Sequence, residues 1–230
     1  MSRRIALYFA PASGSALAEF GARWLGRDAL EDRALAQPRL VGIAPERLTA
    51  ITASPRHYGF HATLKPPFAL SAGQSAQAVH RAAAAFARRQ PAFALPALRL
   101  VSLGGFLALV PAAPSRQLRL LADACVVEFD GFRARPGAAE LTRRRASGLS
   151  QRQDALLARW GYPFVLEEYR FHLTLTERLA EPERTQVLHA LAPLCEPFCQ
   201  SPLGIDALTL FEQTERARDF VISARYPFAG

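Results

Sequence analysis

The hydrophobic positions of this 230-residue chain follow two alternating periods, and they predict a series of helices and strands. Apolar residues three or four positions apart predict helices, and a glycine or proline such as Gly26 or Pro91 marks where one ends. Alternation of apolar and polar residues predicts strands. The predicted helices are 15–25, 75–89, 115–129, 150–160 and 182–194. The predicted strands are 5–10, 60–64 and 169–176, with hairpins at 98–110 and 205–228.

Two segments of the chain have no clear period. Residues 27–56 mix apolar residues with many turn signals, and we assign them no regular element. Residues 131–148 are rich in arginine and glycine, which is typical of a connecting segment. The predicted elements therefore form two groups, one on each side of this segment.

The two groups repeat one another. The heptapeptide YGFHATL at 58–64 matches YRFHLTL at 169–175 in its Tyr, Phe, His, Thr and Leu, at an offset of 111 residues. Each copy is followed by a predicted helix and then by a strand that begins Ala-Leu-x-Leu, at 97–100 and at 207–210. Matching motifs in a matching order indicate an internal duplication. We expect one bilobed domain over 1–230, built from two related halves.

Side chains alternate between the two faces of a strand, so each repeated strand has one apolar and one polar face. The polar faces carry the residues best suited to chemistry: His61, Thr63 and Lys65 in the first copy and Arg170, His172 and Thr174 in the second. Two sheets placed side by side about a pseudo-twofold axis would point both polar faces into one groove. The residues that we predict to be catalytic are His61, Thr63, His172 and Thr174.

Packing and metal binding are the alternatives for these histidines. A single histidine in a strand most often packs or faces solvent, and threonine is a common strand residue. Recurrence of the His-x-Thr pair on the polar face of both copies favours a shared function instead. Two histidines supply only two ligands, whereas a catalytic zinc normally has three protein ligands. We therefore expect no metal and no other cofactor.

The positive charge of the chain allows two interpretations. The formal net charge is +8 and the pI is near 10.2. Either the surface is basic in general, or its field attracts anionic substrates such as phosphates or nucleic acid. Among the 28 basic residues only Lys65 is a lysine, and it lies two residues after Thr63. Because lysine and arginine are not equivalent chemically, we predict that Lys65 contacts the substrate.

The cysteines and the N-terminal sequence indicate a compartment. Three cysteines argue against a disulfide scaffold and for a reducing environment. Cys195 and Cys199 lack further ligands for a zinc site, so we expect them to pack. The apolar run at 5–10 is shorter than a signal-peptide core, and no stretch approaches the length of a transmembrane helix. We predict a soluble, cytoplasmic protein with no membrane contact, and nothing indicates an obligate protein partner.

The paired His-x-Thr motifs resemble the defining signature of the two-histidine (2H) phosphoesterase superfamily. Longer segments, RHYGFHATLKPPF at 56–68 and WGYPFVLEEYRFHLTLT at 160–176, resemble one branch of it. Members of that branch are typically encoded beside genes of phosphonate (carbon–phosphorus lyase) metabolism. The resemblance runs over nearly the whole chain. It implies a bilobed α+β fold, with two antiparallel sheets flanking a central cleft and helices outside, and no cofactor.

The chemistry that fits this pair is opening of a cyclic phosphodiester by general acid–base catalysis. One imidazole takes a proton from water and the other protonates the departing oxygen, and the sequence leaves open which histidine does which. Thr63 and Thr174 would donate hydrogen bonds to phosphate oxygens. The candidates for further contacts with substrate are Arg56, Tyr58, Lys65, Arg170 and the arginine run at 143–145.

Three functions are compatible with the sequence. The first is hydrolysis of a small cyclic phosphate on a phosphorylated sugar or nucleotide, with 5-phosphoribosyl 1,2-cyclic phosphate as the specific hypothesis. The second is processing of RNA with 2′,3′-cyclic phosphate ends, which the pI favours, although the chain lacks the aromatic and basic tract typical of single-strand RNA binders. The third is non-catalytic binding of a phosphate ligand or RNA. We expect the first, because binding alone does not need two imidazoles.

Overall fold

The computed structural model describes residues 3–146 and 148–229, and in this part of the chain two four-stranded antiparallel sheets pack with helices. The predicted α+β fold with antiparallel sheets is confirmed. The helices are α1 (Ala16–Leu25), α2 (Pro45–Ile51), α3 (Ala53–Tyr58), α4 (Ala76–Ala87), α5 (Arg116–Glu128), α6 (Ala138–Arg145), α7 (Gln151–Trp160) and α8 (Glu183–Cys195). The strands are β1 (Arg4–Phe9), β2 (Arg27–Asp28), β3 (Arg33–Ala34), β4 (Ala62–Ala69), β5 (Phe93–Leu103), β6 (Phe106–Pro111), β7 (Leu173–Thr174), β8 (Pro202–Ile205), β9 (Ala207–Gln213) and β10 (Val221–Pro227).

Serine hydroxyl groups start four of the longer helices. Ser15, Ser75, Ser115 and Ser150 precede α1, α4, α5 and α7, and each accepts a hydrogen bond from the backbone N–H three residues later. Such caps satisfy donors that have no partner inside the helix. α1 ends at Gly26, whose φ of 76° lies in the left-handed region that glycine adopts readily. Local chemistry therefore explains these helix boundaries.

Three helices and four strands differ from the sequence-based expectation. Of the strands, β2 and β3 lie in 27–56, β8 was not predicted, and the second motif strand is shorter than predicted. α2 and α3 lie in 27–56, and α6 lies in the predicted connecting segment. They have 7, 6 and 8 residues, about two turns each, which is too short for a period of 3.6 residues to be visible. In the second motif only Leu173 and Thr174 pair as a strand, because the partner strand β6 ends at Pro111, which has no N–H to extend the ladder.

Strands exchanged between the two copies build the sheets. The first sheet has the order β10-β9-β1-β4 and the second β7-β6-β5-β8, so each motif strand lies at an edge. β4 pairs with β1, and β7 pairs with β6 in the same way. The strands that carry Ala-Leu-x-Leu, inside β5 and at the start of β9, cross over, since β5 pairs with β6 and β9 pairs with β1. The equal pairing order makes β6 the counterpart of β1, so the second copy begins at β6 and not, as the sequence-based grouping had it, after the segment 131–148.

Apolar side chains of both sheets form a common buried cluster. It contains Leu7 of the first sheet and Leu109 and Leu173 of the second. The indole N–H of Trp24 in α1 donates a buried hydrogen bond of 2.8 Å to the carbonyl oxygen of Leu175. This bond ties a helix of the first copy to the motif segment of the second.

The cysteines lie where apolar side chains pack. Cys125 and Cys195 are buried and Cys199 is half-buried, all as free thiols. Cys195 belongs to the common core and Cys199 packs against it. None of the helices in the described ranges combines the length and the apolar character needed to cross a bilayer.

We predict that Trp24→Phe lowers the free energy of unfolding by about 1–3 kcal/mol, because it leaves a buried carbonyl oxygen without its donor. Urea-induced unfolding followed by circular dichroism measures the loss. Trp160→Phe is the control, since Trp160 is half-buried and its ring contacts the Arg159 guanidinium at 4.8 Å. A contact of this kind contributes less than about 1 kcal/mol. Equal losses in the two variants would contradict the role given to Trp24.

Candidate active site

The histidines of the two motifs are held by the same backbone contact. Nδ1 of His61 lies 2.8 Å from the carbonyl oxygen of Gly59, and Nδ1 of His172 lies 2.7 Å from that of Arg170. A carbonyl oxygen only accepts hydrogen bonds, so in both rings Nδ1 carries a hydrogen and donates a hydrogen bond. Nε2 of a neutral ring is then an acceptor. The chain thus presents two imidazoles in the same tautomer.

His61 lies in an aromatic enclosure. Its ring stacks on Tyr8, with centroids 3.7 Å apart and planes 18° apart, and Phe211 approaches to 5.8 Å. Burial lowers the pKa of His61 to about 4, the bond to the backbone carbonyl opposes this shift, and the charge of His172 adds to it. His61 is therefore neutral at pH 7. Oγ1 of Thr63, 3.3 Å from Nε2, is the donor in their contact.

His172 has a more open environment. Phe106 approaches its ring with centroids 5.6 Å apart and planes tilted by 55°. Burial lowers the pKa of His172 as well, and the bond to the Arg170 carbonyl opposes the shift. The charge of His172 acts on the pKa of His61, so the two imidazoles are near one another although 111 residues separate them in the chain.

Strand register explains why the two surroundings differ. In the first sheet Tyr8 of β1 lies opposite Thr63. In the second sheet Ala108 of β6 occupies the corresponding place opposite Thr174. A methyl group cannot cover an imidazole as a phenol ring does. The backbone of the motif is duplicated, whereas the side chains around it are not.

The prediction that Lys65 contacts the substrate is wrong. Its side chain is 2% exposed, and Nζ donates a hydrogen bond of 2.9 Å to the carbonyl oxygen of Val126. The pairing of β1 with β4 shifts at this point, so that Thr63 lies opposite Tyr8 whereas Lys65 lies opposite Leu7. Leu7 belongs to the hydrophobic core. The register shift therefore turns Lys65 away from the face that carries Thr63.

Arg56 and Arg170 do not join the motif residues either. Nε of Arg56 donates to the carbonyl oxygen of Leu25 at 2.6 Å, and Nη2 donates to that of Thr49 at 2.8 Å. These bonds tie α1 to α2 and give Arg56 a structural role in place of the predicted contact with substrate. Arg170 is exposed and lines a cavity of ≈ 650 Å³ with Arg119. Neither motif histidine is among the residues that line this cavity.

Tyr58 lies between His61 and a second cavity. Its ring centroid is 6.2 Å from that of His61, and it lines a cavity of ≈ 360 Å³. We call this the arginine cavity, and its charged lining residues are Arg4, Arg133, Arg135, Glu140, Arg143, Arg144 and Arg216. Two arginines of the run at 143–145 therefore line the same cavity as Tyr58. The third, Arg145, pairs with Asp154 at 2.6 Å.

Arg4 and Tyr8 are residues of this region that our sequence analysis did not single out. The alternation of β1 was a usable signal, because Arg4, Ala6 and Tyr8 alternate with apolar residues that enter the core. The pattern places Arg4 and Tyr8 on one face of β1. The contact of Tyr8 with His61 depends on the pairing of β1 with β4, which the pattern does not contain.

The side chains around His61 offer hydroxyl groups and aromatic rings. Tyr8, Tyr58 and Thr63 are its neighbours. Over residues 3–146 and 148–229, no three or more His, Cys, Asp or Glu side chains are grouped so that they could hold a metal ion. The two motif imidazoles would supply two ligands at most.

Comparison with known families identifies the class to which the chain belongs. The model of the family described as "Protein of unknown function (DUF1045)" matches residues 63–221, which is more than two thirds of the chain. The match includes Thr63, His172 and Thr174. The chain belongs to this family.

Two curated proteins are similar to nearly the whole chain. The protein from Janthinobacterium sp. (strain Marseille) is 40% identical over an alignment of 231 residues, which covers 99% of this chain and 51% of that protein. The protein from Laribacter hongkongensis (strain HLHK9) is 38% identical over 217 residues, 94% of this chain and 50% of that protein. Both are named "Ribose 1,5-bisphosphate phosphokinase PhnN". The chain spans about half the length of these relatives.

The similar solved structures include phosphoesterases. A crystal structure described as a phosphoesterase is 15% identical, with a TM-score of 0.43 and 100% coverage of both chains. E. coli LigT complexed with NADP⁺ is also 15% identical, with a TM-score of 0.45 and coverage of 100% of this chain and 99% of LigT. Similarity at this level carries no information about the substrate.

The burial of Lys65 makes the stability of the protein depend on pH. Burial lowers the pKa of its ammonium group to about 8, and the carboxylate of Asp130, 3.7 Å away, opposes the shift. The ordinary pKa of a lysine is 10.5. Between these two values the unfolded chain binds more protons at this residue than the folded chain does. The contribution of Lys65 to the free energy of unfolding therefore rises with pH over this interval.

We predict that Lys65→Met removes this rise. The free energy of unfolding of the wild type minus that of the variant should increase by about 2–3 kcal/mol between pH 7 and pH 10.5. Urea-induced unfolding of both proteins at the two pH values measures the change. Because the free energies of the two proteins are subtracted at each pH, the contributions of tyrosines and cysteines that titrate in the same range cancel. A difference in the free energy of unfolding that stays constant with pH would show that burial does not lower the pKa of Lys65.

Proposed function

We propose that this chain is a metal-independent phosphoesterase that opens a small cyclic phosphodiester by general acid–base catalysis with His61 and His172. The observation that carries the proposal is the matching contact of the two imidazoles. Each Nδ1 donates a hydrogen bond to a carbonyl oxygen two residues earlier, which leaves each Nε2 as the proton acceptor. Nε2 of His61 accepts a hydrogen bond from Thr63, and in the proposed complex this hydroxyl group turns to the phosphate and frees Nε2. A positioned proton transfer contributes about 10²–10⁴-fold in rate. Binding alone would not need two imidazoles oriented in this way.

The unequal surroundings of the two histidines support different roles. His61, enclosed and neutral, accepts a proton at Nε2 from the attacking water. His172, in the more open environment, enters protonated and donates its proton to the oxygen that leaves as the P–O bond breaks. Thr63 and Thr174 donate hydrogen bonds to the non-bridging oxygens, on which negative charge increases in the pentacoordinate state. Proton exchange with solvent then restores both rings.

The substrate that we propose is 5-phosphoribosyl 1,2-cyclic phosphate. Hydrolysis of its bond between phosphorus and O2 leaves one phosphate on O1 and a free 2-hydroxyl group. The product is then ribose 1,5-bisphosphate. This is the compound in the name of both curated relatives, which supports a substrate that yields it.

The kinase activity in the name of the relatives has no counterpart among the motifs of this chain. A P-loop requires a lysine followed by serine or threonine at the end of a glycine-rich segment. Lys65, the single lysine of the chain, follows Leu64, precedes Pro66 and is buried. We therefore propose that this chain hydrolyses a phosphoester and that the kinase reaction is not carried by its residues.

The test is a comparison of cyclic phosphates with variants of the motif residues. We expect kcat/KM to be highest for 5-phosphoribosyl 1,2-cyclic phosphate, and lower for nucleoside 2′,3′-cyclic phosphates and for short RNAs that end in a cyclic phosphate. His61→Ala or His172→Ala should lower kcat by about 10²–10⁴-fold, because each removes one proton transfer. Thr63→Ala and Thr174→Ala should lower it less.

Lys65→Met is the matched control, since Lys65 is two residues from Thr63 and points into the core. It should retain the activity of the wild type. Activity should also survive EDTA. Loss of activity in chelator that zinc or manganese restores would count against the mechanism. Much faster turnover of the RNAs than of the sugar would make RNA the substrate.

The two roles also predict an acidic pH optimum. His61 acts when neutral, so activity is lost as pH falls through about 4. His172 acts when protonated, and burial lowers its pKa from 6.5, so activity is lost as pH rises through that lower value. We expect a bell-shaped profile of kcat/KM with its maximum on the acid side of neutrality.

A nucleoside 2′,3′-cyclic phosphate is the suitable substrate for this measurement. It has no phosphomonoester, whose second pKa near 6 would titrate in the same range. The measurement is kcat/KM in buffers of constant ionic strength from pH 4 to pH 8. A rate that increases to a plateau above pH 7 would contradict the role of His172 as the acid.

A further inference from the structure

We propose that the arginine cavity binds a second phosphate group of the substrate, a phosphomonoester that does not react. This rests on the proposed function, because it assumes that the reacting cyclic phosphate lies at His61 and His172. The cavity has a volume of ≈ 360 Å³ and shares Tyr58 with the surroundings of His61.

Positive charge exceeds negative charge in this cavity. Six arginines line it together with one carboxylate, that of Glu140. Glu140 accepts a hydrogen bond of 2.9 Å from Arg144, and nearby Asp130 accepts one of 2.8 Å from Arg133. Among the described residues, no carboxylate forms an ion pair with Arg135, Arg143 or Arg216. Guanidinium groups gathered in this way repel one another unless an anion lies between them.

Arginine-rich composition alone does not explain this excess. Arg145 lies in the same last turn of α6 as Arg143, yet it pairs with Asp154 at 2.6 Å. Arg225 likewise pairs with Asp206 at 2.6 Å. These arginines have carboxylate partners within the chain, and neither lines the arginine cavity. The cavity therefore differs from the surroundings of Arg145 and Arg225 in its excess of guanidinium groups over carboxylates.

The cavity lies on the same side of the first sheet as the first motif. Arg4 and Tyr8 share one face of β1, and Tyr8 stacks on His61. The Arg4 guanidinium lies 5.0 Å from the ring centroid of Phe220, which stacks on Tyr58 with centroids 5.2 Å apart. A small sugar whose cyclic phosphate contacts His61 can therefore extend past Tyr58 toward Arg4.

The geometry of the cavity favours a phosphate over a carboxylate. Its arginines come from four separate parts of the chain: β1, residues 133–135, α6 and the β9–β10 connection. A planar guanidinium donates two parallel hydrogen bonds to phosphate oxygens. A phosphomonoester carries a charge of about −1.5 to −2 at pH 7 and three acceptor oxygens, so it can satisfy several such groups from different directions.

The experiment compares two substrates that differ only in the second phosphate. They are 5-phosphoribosyl 1,2-cyclic phosphate and ribose 1,2-cyclic phosphate, and the measured quantity is the ratio of their kcat/KM values. In the wild type this ratio should favour the phosphorylated sugar by about 100-fold or more, since several charged hydrogen bonds contribute. Arg143→Gln and Arg216→Gln should each lower the ratio by about 10- to 100-fold.

Arg145→Gln is the matched control, because it removes an arginine from the same turn of α6 without touching the cavity. It should leave the ratio at the wild-type value. A wild-type ratio near one would overturn the subsite, even if both sugars are hydrolysed and the proposed function stands. A ratio that falls equally in all three variants would overturn the subsite as well, because the lower net charge of the protein would then explain the loss.

Binding measurements separate the failure of the subsite from failure of the proposed function. If no cyclic phosphate is hydrolysed, calorimetric titration with ribose 5-phosphate tests the cavity directly. Binding that Arg143→Gln weakens by about tenfold or more, while Arg145→Gln does not, would support the phosphate subsite without the proposed reaction. Absence of binding, or equal binding by both variants, would overturn it.

Discussion

The exchange of strands between the two copies is the constraint on which the rest of the structure depends. β5 follows the first motif and pairs with β6 of the second copy, whereas β9 follows the second motif and pairs with β1. Each sheet therefore contains strands from both copies, and neither sheet is complete without the other copy. This arrangement brings His61 and His172 close enough for the charge of one to act on the pKa of the other.

The two motifs share a backbone contact and differ in the side chains that surround them. The bond from Nδ1 to the carbonyl oxygen two residues earlier is the same in both copies. The ring of Tyr8 covers His61, whereas Ala108 occupies the corresponding place in the second sheet. Two imidazoles in equal surroundings would have the same intrinsic pKa. Acid–base catalysis needs one imidazole protonated and the other neutral. Different surroundings separate the two pKa values, which is what the proposed division into acid and base requires.

The type of a basic residue did not indicate where it lies or which group it contacts in this protein. The single lysine, Lys65, has its ammonium group in the interior, bonded to a backbone carbonyl. Arginine is common in the chain, yet the arginines differ in their partners. Arg145 pairs with a carboxylate, whereas Arg143 lies in a cavity where guanidinium groups outnumber carboxylates. The balance of charge within a few ångströms, rather than the net charge of the chain, distinguishes a binding site from a solvated surface.

Patterns that act over a few residues could be read directly from the sequence. Four of the longer helices begin at serine caps, the hairpin turns at Gly104 and Gly105, and both His-x-Thr motifs lie on polar strand faces. The register of β1 against β4 could not be read, and it places Tyr8 on His61 and turns Lys65 into the core. Caps and turns depend on neighbouring backbone groups, whereas register depends on apolar side chains that are distant in the chain and become buried together. For that reason the motifs were predictable and the environment of each histidine was not.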